Sequence, residues 1–186
     1  MNIEFLNGIG TNVYTQATPI PKIEKVSEEF QNKVLQQYIS IEKEQQLLPS
    51  DVLMSYVSPQ TKELVNIYKS KKYSKYNRVY IIKGLDVEGI AFEQEIDASD
   101  INLEKCSYNE LMVLNLEIGY TSFKDYLHAV VVQKKSEVAT YFEETNFLIT
   151  INKVMEEQKT WENWSIYVAY DKWIQKLMSY ISKNKK

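Results

Sequence analysis

RVYIIKGLDVEGIAFEQEI, residues 78–96, is the stretch whose reading sets the fold. Val79, Tyr80, Ile81 and Ile82 form a β-branched and aromatic run, Gly84 to Gly89 supplies turn chemistry, and IAFEQEI spaces Ile90, Phe92 and Ile96 in an extended pattern. A β-hairpin is the economical solution. The charges agree with it: Lys69 to Lys83 holds six basic residues and no acidic one, whereas Asp86 to Glu110 holds eight acidic residues and only Lys105. Opposite charges on adjacent strands favour their pairing.

Toward the C-terminus the pattern becomes helical. Ser107 and Glu110 stand at capping-box spacing, so each side chain can satisfy an orphan amide of a helix that should stop at Gly119. Ser122 with Asp125 is a weaker start signal. It opens a segment in which Phe123, Leu127, Val130, Val131, Val138, Tyr141 and Phe142 fall on one stripe about 120° wide. FLITIN, residues 147–152, alternates as a third strand would, but it also fits a helix. The final helix runs from about Asn163 to Lys183, with Ile166, Tyr170, Trp173, Ile174, Leu177, Tyr180 and Ile181 on one face.

Toward the N-terminus, Ser58 and Pro59 form a cap and first-turn pair for a helix carrying Leu64, Ile67 and Tyr68, and Ser50 with Asp51 is expected to cap a short helical turn through Tyr56. Residues 22–48 contain neither Gly nor Pro, and Ile23, Val26, Phe30, Val34, Tyr38, Ile41 and Leu48 recur at helical spacing, predicting a long amphipathic helix. Pro19 and Pro21 break the segment before it. The expected architecture is α+β and predominantly helical: an extended or disordered arm over residues 1–21, then one compact domain over 22–186, with about five helices around a small antiparallel hairpin at residues 78–96. In a chain of 186 residues, five Gly and four Pro leave little material for a flexible linker.

Several classes of protein are disfavoured by composition. Cys106 is the only cysteine, so a disulfide scaffold within the chain is excluded. No apolar run is long enough for a membrane span, and the first residues lack the basic and apolar regions of a signal peptide, so a cytoplasmic, non-membrane protein is expected. The formal net charge is -3 and Arg78 is the only arginine, which argues against nucleic acid as a partner, because Arg is the main reader of phosphates and base edges.

Motifs for chemistry are equally sparse. Gly8 and Gly10 form a GxG, but Val13 occupies the third glycine position of a dinucleotide fingerprint. His128 is the only histidine, which removes sites needing two imidazoles from one chain; it lies beside the apolar stripe, as a solvated histidine would. A Cys106–His128 dyad is formally open, although nothing in the sequence requires it. Asp97, Ser99, Asp100, Asn102 and Glu104 are oxygen-rich, but they lack the Gly and Glu positions of an EF-hand and read as a connector. No catalytic residue, metal or cofactor is expected.

Two surfaces carry the functional reading. Trp161, Trp164 and Val168 point away from the core face of the last helix: either a second element covers them, which is the commoner case, or they form an exposed patch for a partner. Lys69, Lys71, Lys72, Lys75 and Arg78, interleaved with Tyr73 and Tyr76, form a candidate anion-binding run, or else a solvated connector. The expectation is a non-enzymatic interaction or accessory protein that binds a protein partner or itself. The alternatives are a small-molecule protein or enzyme with a pocket built around Asp97, Asp100, Tyr120 or Asp125, and a weak polyanion binder.

Overall fold

The computed structural model describes residues 51–184, so the arm over 1–21 and the helix expected over 22–48 lie outside the described residues. Four strands, β1 (Val52–Val57), β2 (Leu64–Lys69), β3 (Val79–Leu85) and β4 (Ala91–Asp97), form an antiparallel meander in that order. Helices α1 (Tyr108–Glu117), α2 (Phe123–Lys135), α3 (Phe147–Thr160) and α4 (Trp164–Asn184) follow. The class is α+β; among the described residues 43% helix against 24% strand makes helix predominant, but the sheet is twice the expected hairpin.

The hairpin itself forms as read, with Tyr80 opposite Ile96 and Lys83 opposite Glu93, and the latter pair closes an ion pair at 2.9 Å. Both upstream helical expectations are overturned. Residues 52–57 pair with β2 as a strand, and residues 64–69 are the strand between β1 and β3. The cap signature at Ser58 is nevertheless real: its hydroxyl accepts from the Thr61 amide at 3.1 Å, and Lys62 donates to its carbonyl at 2.9 Å. That single turn stops because Lys62 adopts φ 65°, after which Val65 and Ile67 alternate into the core. Glu63, fully buried, fastens this turn by accepting from the Tyr141 amide at 3.1 Å.

The helical layer grows from the capping box, in which Glu110 donates its amide to the Ser107 hydroxyl and Ser107 its amide to the Glu110 carboxylate. Helix α1 is buried almost all round, so it is the centre of the layer rather than a surface helix. Gly119, at φ 82°, turns the chain out of it as expected. The stripe expected to run through Phe142 ends with α2 at Lys135, and the face that α2 buries is Tyr126, Ala129 and Val132, with Leu127 exposed. Residues 147–152 are the start of α3, capped by the Asn146 side chain accepting from Ile149 at 3.0 Å. Helix α4 buries Tyr170, Trp173 and Leu177 as its periodicity predicts, while Ile166 is exposed. Each fully buried side chain of this size contributes about 1.5–3 kcal/mol.

Gly84 is required by the sheet. A Cβ built there would lie 1.7 Å from the Leu64 carbonyl oxygen of β2 and 3.1 Å from the Phe92 ring of β4. Gly84→Ala is expected to destabilise the protein by about 2–3 kcal/mol, since backbone rather than a side chain must move. Urea denaturation read by circular dichroism checks this.

Candidate functional site

The lysine-rich run sorts into two sets once folded. Arg78, next to β3, turns inward, placing its guanidinium 3.3 Å from Glu117 of α1, whose side chain is only 2% exposed. Tyr73 donates to the same carboxylate at 3.1 Å, Tyr80 donates to it as well, and Arg78 donates to the Tyr73 hydroxyl at 2.7 Å. Burial, reinforced by the bond to Glu117, raises the Tyr80 phenol well above its ordinary range, so it stays a donor. Tyr180 adds a buried hydroxyl without a hydrogen-bond partner among the described residues. Arg78 is therefore part of the interior network.

The other candidates of that run remain at the surface. Lys72 pairs with Glu95 at 3.2 Å. The Lys69 ammonium lies 4.3 Å from the Tyr73 ring centroid, and the Lys75 ammonium 5.9 Å from that of Tyr76. Lys69, Lys71 and Lys75 have no carboxylate partner among the described residues.

Trp161 and Trp164 flank the corner between α3 and α4. The corner is a Schellman motif: Glu162 donates to the Lys159 carbonyl at 3.1 Å and Asn163 to that of Gln158 at 2.9 Å. Glu162 takes the left-handed position at φ 57°, which glycine ordinarily fills. Trp161 caps α3, and Trp164 opens α4 with its ring 6.1 Å from that of Tyr167. Val168 stands one turn beyond Trp164, about 140° around the helix from buried Trp173. The expected covering element is absent among the described residues: Trp161 is 47%, Trp164 55% and Val168 44% exposed. Trp161 also walls an open depression of about 380 Å³ with Lys153, Glu156, Glu157 and Thr160. The corner exposes apolar side chains beside an open depression lined by charged residues.

Comparison of the chain with protein-family models, curated proteins and solved structures finds no match.

Of the residues proposed for a hidden pocket, Asp97 and Asp125 make local contacts and Tyr120 packs under a remote lysine. Asp97 accepts from the Ser99 amide at 3.0 Å, Asp125 closes the cap of α2 by accepting from Ser122, and Tyr120 lies under the Lys176 ammonium at 4.8 Å. Asn102 likewise accepts from the Glu104 amide at 3.1 Å, so much of the oxygen-rich connector closes on itself. Among the described residues no group of three His, Cys, Asp or Glu side chains is placed to hold a metal ion, and no helix is long and apolar enough to cross a membrane. Cys106 is buried, and burial pushes its thiol pKa up, away from nucleophilic behaviour.

His128 is not the solvated residue its position suggested. It is half-buried, edge-on to Tyr170 at 4.5 Å and stacked on Trp173 at 5.6 Å, and its Nδ1 is buried without a hydrogen-bond partner among the described residues. The sequence signal was available in α4, whose Tyr170 and Trp173 required a neighbour, but helix α2 read alone did not show which face would supply it.

Two measurements follow. Removing Glu117 leaves Arg78, Tyr73 and Tyr80 without their shared acceptor, so Glu117→Ala is expected to cost about 3 kcal/mol in urea denaturation, and Arg78→Ala less because its side chain is partly solvated. Burial lowers the His128 pKa, with the Asp125 carbonyl acting the other way, so the folded state binds its proton less readily than the unfolded chain. Stability from this site is complete above the unfolded value of about 6.5 and declines as pH falls below it. A thermal melt should fall between about pH 7.5 and 5.5 in the native chain, and His128→Phe should flatten that slope.

Proposed function

We propose that this protein is a non-enzymatic interaction protein that docks a protein partner on the α3–α4 corner. The observation that carries this reading is the exposure of both Trp161 and Trp164 at one corner fixed by backbone hydrogen bonds. Trp is costly to leave in water and supplies interface energy with little side-chain entropy to lose, so a rigid pair of them is suited to anchor a partner. Val168 extends the apolar surface along α4, while Lys159, Glu156 and Glu162 supply a charged margin.

The polar interior supports the same reading. Glu63, Glu117, Asn109 and Asn115 spend their side chains on joining elements: Tyr56 donates to Asn109 at 2.7 Å, and Trp173 to Asn115 at 2.8 Å. These contacts organise the fold, and neither Trp161 nor Trp164 takes part in them.

The test is affinity capture with tagged full-length chain at moderate salt, combined with light scattering of the purified protein. Trp164→Ala and Trp161→Ala are expected to weaken a stoichiometric protein complex by at least about tenfold while changing stability by less than about 1 kcal/mol. A complex that survives both substitutions, or a variant that unfolds, overturns the assignment of this corner. A concentration-dependent dimer lost in the same variants identifies the partner as a second copy.

A further inference from the structure

We infer that the β2–β3 loop, residues 70–78, is a preorganised cationic finger that docks a short acidic segment of a partner protein, with Tyr76 as its aromatic anchor. Hairpin loops commonly need about two to five residues, so this one exceeds what joining its strands requires. It is nonetheless ordered throughout by its own bonds. Tyr73 donates to the Ser70 carbonyl at 2.9 Å, the Asn77 side chain to the Lys72 carbonyl at 3.0 Å, and Arg78 Nε to the Lys75 carbonyl at 3.1 Å. Ser74 and Asn77 exchange amide–carbonyl bonds at 2.8 and 3.3 Å, closing a tight turn with Lys75 and Tyr76 at its tip.

The sorting of side chains gives the finger its chemistry. Tyr73 and Arg78 face inward and are locked on Glu117, which roots the loop in the helical layer. Lys71, Lys75 and Tyr76 face outward, and Tyr76 is 88% exposed, the most exposed large hydrophobic side chain among the described residues. A ring held in water on a backbone that cannot fold it away costs little entropy to dock. The ammonium groups of Lys69, Lys71 and Lys75 set the sign of the partner, since complementary potential governs which surfaces meet.

Three features select a short acidic peptide over nucleic acid. The one guanidinium, the better phosphate ligand, is turned inward. Glu93 and Glu95 on the adjacent edge strand neutralise Lys83 and Lys72, and the whole chain carries net charge -3, so a long polyphosphate leaving the tip gains no added attraction from that strand. A segment of a few carboxylates contacts only the tip.

The test titrates full-length protein into a labelled glutamate-rich peptide and, separately, an oligo-dT strand of equal net charge, by fluorescence anisotropy. The peptide is expected to bind at about 50 mM salt and to weaken about tenfold or more by about 300 mM. A Lys71→Glu, Lys75→Glu double variant should abolish binding, Tyr76→Ala should weaken it about fivefold or more, and Lys172→Glu, exposed on α4, should leave it near the native value. All these side chains are exposed, and a matching thermal melt confirms that each variant folds. Absence of peptide binding at low salt, insensitivity to salt, retention in the double variant, or tighter binding of oligo-dT overturns the proposal. Trp161→Ala and Trp164→Ala should not alter this binding, which separates it from the α3–α4 corner.

Discussion

The buried carboxylate of Glu117 ties the sheet to the central helix. Glu117 sits at the end of α1 with almost no solvent, and a charge in that position is tolerable only if several donors surround it. Tyr80 comes from β3, Tyr73 and Arg78 from the loop region before it, so satisfying one group fixes the sheet, the loop and the central helix together. An apolar contact has no such directional demand; this one specifies which face of β3 meets α1 and at what height along the strand.

The same logic recurs at other junctions. Glu63 carries the β1–β2 turn to the connector after α2, and Asn115 uses its carbonyl oxygen for Trp173 and its amide for the Leu111 carbonyl. Around Glu63, Tyr56, Tyr108 and Tyr141 pack ring to ring at 4.8–5.4 Å, with the Tyr56 hydroxyl donating to Asn109. Buried polar groups thus define the register of the elements, while Ile67, Ile82, Leu111, Phe147 and Leu177 supply the apolar burial. Two outward features stand apart from this economy: the tryptophan corner at the Schellman turn and the tyrosine-tipped loop. Both are held by backbone hydrogen bonds, so both present aromatic rings without the entropy loss of ordering a flexible segment.

Legibility in the sequence followed the range of the deciding interaction. The Ser107–Glu110 capping box, Gly119, the hairpin at 78–96 and the buried face of α4 depend on neighbours within a turn or two, and all were readable. Ser58 shows the limit of that reading. Its local turn exists, but Val65 and Ile67 gain more by alternating into a sheet core than by continuing a helix, and that comparison involves β3, beyond the local window. The outward setting of Trp164 and Val168 was readable, because their angular offset from the Tyr170–Trp173–Leu177 face is a property of the helix alone, whereas Trp161 caps α3 and meets them only across the corner. Whether another element covered them was not.

By itself, then, the sequence determined the α+β class, the capped helix ending at Gly119, the strand pair at 78–96 and the outward direction of Trp164, since each rests on backbone periodicity or a cap a few residues away. Only the tertiary structure decided that residues 52–69 pair as strands, that α2 buries Tyr126 and leans His128 on Trp173, and that Arg78 leaves the basic run to meet Glu117. In each of those cases the partner is remote in sequence. A side chain with two acceptable local settings takes the one that satisfies a buried group elsewhere, because leaving that group unpaired costs more than either local preference.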